Sequence, residues 1–157
     1  MPEFIISGLE IMDTLIPGRH FGDEMLYPAE TVGLYIDWKT YLLYAKGNVI
    51  ESNELLPFSE IQNYRVILQE NSYDTLTRLT TKREQLLYEM NLKVWPDATY
   101  IGGVYLRWIG DINSDGKLDI LMKIQSHFAC YDIVFLLSNK LSDKLIEEVA
   151  RYTVCCC

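Results

Sequence analysis

The residues best suited to chemistry lie in one short segment, which reads Asp-Ile-Asn-Ser-Asp-Gly-Lys-Leu-Asp from Asp111 to Asp119. Calcium is a hard cation that takes about 6–8 oxygen ligands. Oxygen-bearing side chains recur at positions 1, 3, 5 and 9 of the segment, and Gly116 at position 6 permits a sharp turn. Position 7 offers its backbone carbonyl. The sequence therefore predicts a calcium site with the ligands Asp111, Asn113, Asp115, Lys117 and Asp119.

The same segment has an alternative interpretation that needs no metal. Turns rich in Asp, Asn and Gly are often held together by hydrogen bonds from backbone amides to their own side chains. A helix-loop-helix calcium sensor is not predicted, because it requires a bidentate Glu at position 12, which here is Met122. Both flanks, 104–109 and 118–124, are rich in β-branched and aromatic residues, so the segment is predicted to join two strands.

Gly110 to Asp119, followed by an apolar strand, resembles the Asp-rich calcium loops of FG-GAP and VCBS-type repeats. More loosely, the longer run from Trp108 to Lys140 looks like a group of bacterial proteins that carry one such loop near the C-terminus. The likeness implies a bacterial origin and a mostly β fold, and it implies no particular reaction.

Short runs of β-branched and aromatic residues occur along the rest of the chain and predict strands. The segments 17–22 and 71–83 are predicted to be irregular, the second as a solvated loop. About eight strands in one domain, residues 1–157, predict a mainly β fold, an antiparallel β-sandwich or barrel-like sheet. The predicted strands are 4–7, 31–36, 41–45, 63–69, 85–92, 104–109, 120–125 and 131–137.

The segment from Ser142 to Tyr152 supports two predictions. Ser142 suits a helix N-cap, and Leu145, Ile146 and Val149 share one helical face, which favours a short C-terminal helix and an α+β fold. The bacterial likeness instead implies a final strand over about 149–154. No internal repeat is present, so the chain carries one loop and not a propeller of them.

Composition limits the partners of this chain. A net charge of -8 and a pI near 4.7 argue against nucleic acid, and favour a protein partner, for example a basic one. No apolar run reaches the ~20 residues that cross a bilayer, so no membrane span is predicted.

The cysteines and the first residues bear on the compartment. Cys130 is predicted either to form a disulfide with one of the terminal cysteines, 155–157, or to remain a free thiol with them. No signal peptide is visible at the N-terminus. Calcium loops with few carboxylates suit the calcium levels outside the cytosol, so we expect a periplasmic or exported protein, with the cytoplasm as the alternative.

Conventional catalytic motifs are missing from the sequence. His20 and His127 are the conventional general-base candidates. Aromatic residues cluster near the first predicted hairpin, where they form either a recognition surface or part of the core; they are Tyr35, Trp38, Tyr41 and Tyr44.

Two functions follow from these features. The first is a non-catalytic calcium-binding β domain that acts as a protein-interaction or inhibitory module, as an immunity protein acts on a secreted toxin. The second is a calcium-dependent extracytoplasmic hydrolase, with the ion as Lewis acid and His127 or Asp119 as base. Of the two, the sequence favours the module that is not an enzyme.

Overall fold

The computed structural model describes residues 18–22, 25–51, 59–94, 102–127, 129–138 and 142–155. These residues contain no helix, and so none that could span a membrane. They form nine strands: β1 (Gly18–His20), β2 (Thr31–Ile36), β3 (Lys39–Ile50), β4 (Ser59–Asp74), β5 (Leu79–Val94), β6 (Gly103–Gly110), β7 (Asp119–His127), β8 (Cys130–Leu137) and β9 (Glu147–Cys155).

The strands form two antiparallel sheets. One has four strands in the order β2-β3-β4-β5, and the other has five in the order β1-β6-β7-β8-β9. Neighbours in the chain are neighbours in each sheet, apart from β1, which pairs with β6. The prediction of a mainly β fold is confirmed.

Both sheets contribute to one hydrophobic core. Along β3 and β4 the buried side chains alternate with more exposed ones, as a strand with one solvated face requires. Leu43 and Val66 enter the core from the four-stranded sheet, and Ile120 and Val134 enter it from the five-stranded sheet. Burying a large apolar side chain stabilises a fold by about 1.5–3 kcal/mol, so this shared core holds the sheets together.

A polar contact also ties the two sheets together. The Tyr64 hydroxyl in β4 donates to the backbone carbonyl of Leu26 at 2.6 Å, and the Leu26 amide donates to the carbonyl of Val104 in β6 at 2.8 Å. Burial raises the pKa of Tyr64 well above its usual value. Because it is a buried and satisfied hydroxyl, Tyr64 fixes the segment between the sheets without loss of hydrogen bonding.

Two predicted irregular segments are strands in the structure. Residues 18–20 pair with β6, and β4 and β5 run through most of 71–83 as a long hairpin around the turn 75–78. The hairpin continues beyond the core, so its backbone is paired while its side chains are solvated. Because the side chains are solvated, this segment has the polar composition of a loop. The predicted strand at 4–7 lies outside the described residues.

The prediction of a C-terminal helix is wrong, and the alternative prediction of a final strand is correct. β9 pairs with β8 from Glu147 to Cys155, so pairing with a neighbouring strand overrides the local helix pattern. Cys130 and Cys155 face each other across this pair and form a disulfide, which was one of the predicted cysteine states.

A solvent-exposed charged cluster lies on the same strand pair. Asp132 in β8 accepts hydrogen bonds from Arg151 and from the Thr153 hydroxyl in β9, and Arg151 also pairs with Glu148. The hydrogen bond from Thr153, followed by the contacts with Arg151, lowers the pKa of Asp132. The hydrogen bond from Arg151 lowers the pKa of Glu148. For both carboxylates, folding therefore favours the ionised form over the protonated form.

We expect Asp132→Asn to lower the free energy of unfolding at pH 7 by up to about 1 kcal/mol, a size limited by solvent screening. A carboxylate with a lowered pKa contributes stability above its unfolded pKa, and this contribution is lost as the pH falls through its folded pKa. The difference between wild type and variant should therefore shrink below about pH 4. Urea unfolding at pH 7 and pH 3 measures it, and an equal difference at both values would contradict the assignment.

Candidate metal centre

The predicted calcium segment forms the connection between β6 and β7. Gly110 and Asp119 pair across its base, and the flanking segments are strands, as predicted. Met122, which occupies position 12, lies buried in β7 and packs in the core. The segment is a hairpin loop and not part of a helix-loop-helix unit.

Side chains of the loop accept hydrogen bonds from its own backbone. The two carboxylate oxygens of Asp111 accept from the amides of Asp115 at 3.0 Å and Gly116 at 2.8 Å. Asn113 Oδ1 also accepts from the Asp115 amide at 3.2 Å, and Asp115 Oδ1 accepts from the Lys117 amide at 3.0 Å. Gly116 has a φ of +76°, which favours glycine. The alternating acceptors thus wrap the loop around Asp111.

Asp119 is the most deeply buried carboxylate of the loop. Its side chain has 0% relative exposure and accepts backbone hydrogen bonds from Ile112 at 2.9 Å and Ser138 at 3.2 Å. Burial raises the pKa of Asp119 to about 6, the two amides oppose that shift, and the charges of Asp115 and Asp111 add to it. These three carboxylates are therefore close enough to repel one another.

The structure places all five predicted ligand residues in this loop but does not arrange them as a metal site. Among the described residues, no three His, Cys, Asp or Glu side chains are gathered so that they could hold a metal ion. The side chains instead form the self-bonded hairpin that was the alternative interpretation. Calcium binding by Asp111, Asn113, Asp115, Lys117 and Asp119 stays a prediction.

The chemistry of the donor set nevertheless fits calcium. The side-chain donors of the set are carboxylate or amide oxygens, which are the ligands that calcium prefers. A carboxylate has about four lone-pair sites, and each oxygen of Asp111 and Asp119 accepts one hydrogen bond in the bonds described above. Lone pairs therefore remain on these oxygens for a cation.

Asp37 approaches the loop from the other sheet, a contact that no pattern in the sequence indicates. A β-carbon built on Gly116 would lie 2.8 Å from Oδ2 of Asp37. Asp37 and Trp38 form the two-residue turn between β2 and β3, and both have positive φ, 44° and 64°. Gly116 is thus required by its own backbone conformation and by the side chain that lies against it.

Two further residues contact the loop from outside it. The Ser138 hydroxyl donates to Asp115 Oδ2 at 3.3 Å, and its amide donates to Asp119. Tyr41 in β3 is buried beside Leu118 and Glu70. Burial, and next the charge of Glu70, raise the pKa of Tyr41. The loop is therefore anchored to strands of both sheets.

The two histidine candidates lie differently with respect to the loop: His20 pairs with Trp108, two residues before Gly110 at the base of the loop, whereas His127 is distant from it. His20 ends β1 and His127 ends β7, and both side chains lie outside the described set. Asp119 begins the nine-residue strand that His127 ends. At about 3.3 Å per residue the two backbones are roughly 26 Å apart. His127 is not placed to act beside an ion in the loop.

The aromatic cluster of the first hairpin divides between the two faces of its sheet. Tyr41 faces the core, whereas Tyr35 and Tyr44 lie on the outer face and Trp38 lies in the turn. Tyr35 and Trp38 are 62% and 80% exposed. Tyr73 in β4, which is 55% exposed, joins them. Tyr35, Trp38 and Tyr73 line an open groove of about 560 Å³, here called the aromatic groove. Its lining residues are Tyr35, Trp38, Thr40, Asn71, Ser72, Tyr73, Thr75 and Thr80.

No family model, curated protein or solved structure matches this chain. The likeness of residues 110–119 to FG-GAP and VCBS-type loops therefore rests on those residues alone. It stays a prediction, as does the looser bacterial likeness.

We expect Gly116→Ala to lower the free energy of unfolding by about 2 kcal/mol, because a side chain at positive φ costs roughly 1–2 kcal/mol and the new methyl group would crowd Asp37. A double-mutant cycle with Asp37→Gly isolates the part due to crowding, because the cycle cancels the separate effect of glycine at the positive φ of Asp37. Urea unfolding of the single and double variants gives both parts. Gly22→Ala is the control, because a β-carbon there meets nothing within 4 Å. Equal stability of wild type and Gly116→Ala would contradict the described loop.

Proposed function

We propose that this chain is a calcium-binding β domain that acts without catalysis as a protein-interaction or inhibitory module of the immunity type. The observation that carries the proposal is the contact between Asp37 and Gly116, because it joins the predicted calcium loop to the turn that presents Trp38. One structural unit thus combines an oxygen-rich loop with an exposed aromatic surface.

The calcium part of the proposal rests on charge. Asp111 and Asp119 are buried and Asp115 is half-buried, so their negative charges lie close together with little water to screen them. A divalent cation would offset this repulsion through the lone pairs that the backbone amides leave free. Asn113 and the Lys117 carbonyl would supply neutral oxygens to the same ion.

The protein-binding part rests on the aromatic groove. Tyr and Trp are enriched among the residues that dominate the binding energy of protein interfaces. Trp38 is a bulky residue at positive φ, a conformation that costs of order 1–3 kcal/mol and is found most often at functional sites. An exposed tryptophan in a strained conformation does not stabilise the fold. A role of Trp38 in binding a partner accounts for it.

Two further features support the proposed compartment and the proposed charge of the partner. A disulfide between Cys130 and Cys155 supports a periplasmic or exported protein, because such bonds persist in oxidising compartments. The net charge of -8 would attract a basic partner, such as a secreted toxin, and accelerate its approach. The hydrolase alternative with His127 as base gains no support, since His127 lies at the far end of β7 from Asp119.

We expect calcium at about 100 times its dissociation constant to stabilise the wild type by ~2.7 kcal/mol, by mass action. Asp115→Ala should abolish this stabilisation, because it removes a ligand and a negative charge. Thermal unfolding in calcium, in magnesium and in chelator measures it.

The matched control is Glu51→Ala, which removes one negative charge beyond the end of β3 that is far from Asp37. It should respond to calcium as the wild type does. An undiminished calcium response in Asp115→Ala would show that the ion binds elsewhere, and no response in the wild type would rule out the calcium site.

We expect the purified domain to capture a stoichiometric protein partner from an extract of its source organism, and Trp38→Gly to lose that partner. This substitution creates Asp-Gly, the residue pair favoured in turns of this kind, so it removes the indole while relieving the strained turn. Tyr152→Ala, at an exposed aromatic residue of β9, is the control and should keep the partner. Undiminished capture by Trp38→Gly would exclude the aromatic groove as the interface.

A further inference from the structure

The tip of the β4–β5 hairpin exposes large apolar side chains to solvent. Leu76, in the turn between the two strands, is 93% exposed, and Leu79, the first residue of β5, is 64% exposed. Tyr73, near the end of β4, is also exposed. A single exposed leucine is common on protein surfaces, but several apolar side chains together at one tip usually mark a site of interaction.

The turn that carries Leu76 is held together by its own hydrogen bonds. The Leu76 amide donates to Asp74 Oδ1 at 2.9 Å, and the Thr77 hydroxyl donates to Asp74 Oδ2 at 2.7 Å. The Arg78 amide donates to the backbone carbonyl of Asp74 at 2.8 Å, and Asp74 pairs with Leu79 at the base of the turn. An Asp side chain that bonds the backbone two residues on is a common way to build a turn. Leu76 is therefore presented to solvent by an ordered turn.

The tip of the hairpin extends past the neighbouring strand. Lys39, the first residue of β3, pairs with Ser72 in β4, so β4 and β5 continue beyond the end of β3. Leu76 lies three residues beyond Tyr73 in the chain. At about 3.3 Å per residue, Leu76 stands up to roughly 10 Å farther out than Tyr73. The leucine is therefore at the outer end of the hairpin.

The side chains change in kind with distance from the tip. Leu76 and Leu79 are outermost, the rings of Tyr73 and Trp38 come next, and Lys82 lies farther along β5. At a membrane surface, apolar side chains enter about 5–10 Å into the boundary between headgroups and acyl chains, and Tyr and Trp rings lie at the headgroups. The height of Leu76 above the ring of Tyr73 matches that depth. Leucine is also under-represented among the residues that dominate protein-binding energy, which favours a lipid surface over a protein surface.

The charges of the tip and of the whole chain select the kind of lipid. Residues 73–80 carry one acidic side chain, Asp74, and one basic side chain, Arg78, so the tip has no net charge. Both carboxylate oxygens of Asp74 accept hydrogen bonds within the turn, and the long side chain of Arg78 can extend toward lipid phosphates. The net charge of -8 would repel the rest of the domain from anionic lipids. A zwitterionic lipid surface therefore complements the tip.

We propose that the tip of the β4–β5 hairpin docks on a zwitterionic phospholipid membrane by inserting Leu76 and Leu79 between the headgroups. The proposal goes beyond the proposed function, and it requires neither calcium nor a protein partner. It assigns the membrane contact to the turn 75–78 and the strand ends beside it. Insertion reaches only the outer part of one leaflet, as the roughly 10 Å height of the tip allows.

The test is flotation of the intact chain with phosphatidylcholine vesicles in the presence of EDTA, so that bound calcium plays no part. We expect the wild type to float with the vesicles. Leu76→Ser should lower the partition coefficient roughly tenfold, because it removes most of the apolar area that would leave water at the tip. The fold should survive, since Leu76 is almost fully exposed. Leu86→Ser is the matched control, because Leu86 is an exposed leucine of the same strand about 23 Å from Leu79, and it should float as the wild type does.

Flotation that Leu76→Ser reduces and Leu86→Ser preserves would support the proposal. No flotation of the wild type, or equal flotation of the wild type and Leu76→Ser, would overturn it. An equal loss in Leu86→Ser would also overturn it, because the contact would then not be specific to the tip. Capture of a protein partner that depends on Leu76, together with no vesicle binding, would assign the tip to the protein interface of the proposed function and reject only the membrane contact.

Discussion

The packing of the two sheets against each other is the constraint on which the rest of the structure depends. Each sheet contributes an apolar face to a single core, to which Leu43, Val66, Ile120 and Val134 belong, and β6 is buried on both of its faces. Because the inner faces are filled by packing, chemistry and recognition are left to the loops and the outer faces. The loop between β6 and β7 and the turn between β2 and β3 meet at one end of this core, which brings two sequence-distant segments into contact.

The sequence predicted best what depends on local pattern. Alternating and β-branched runs located most strands, and the Asp, Asn and Gly spacing located a hairpin loop between two of them. The errors fell where a distant strand decides the structure: the β4–β5 hairpin extends past the core, and β9 is a strand because β8 pairs with it. Asp37 at the loop was missed for the same reason, since its position depends on how the two sheets pack.

The loop shows how a buried carboxylate can serve two purposes. Backbone amides in a sharp turn need acceptors, and Asp111 and Asp119 satisfy them. The same burial leaves negative charge in a poorly solvated place. A sequence pattern for calcium and a pattern for a self-bonded turn are therefore nearly the same, because both require oxygen atoms that point into one loop.

The disulfide at the end of β9 determines how this edge of the molecule can open. An edge strand is normally among the first elements to fray, and its local opening costs little of the global free energy of unfolding. Here Cys155 is fastened to Cys130, so β9 cannot peel away from its C-terminal end. The other end of β9 is held as well, because the amides of Leu145 and Ile146 donate to Gln85 Oε1 in β5 and Ile146 is buried. The edge strand is thus fastened to its neighbour β8 at one end and to the other sheet at the other, so its opening requires more than local fraying.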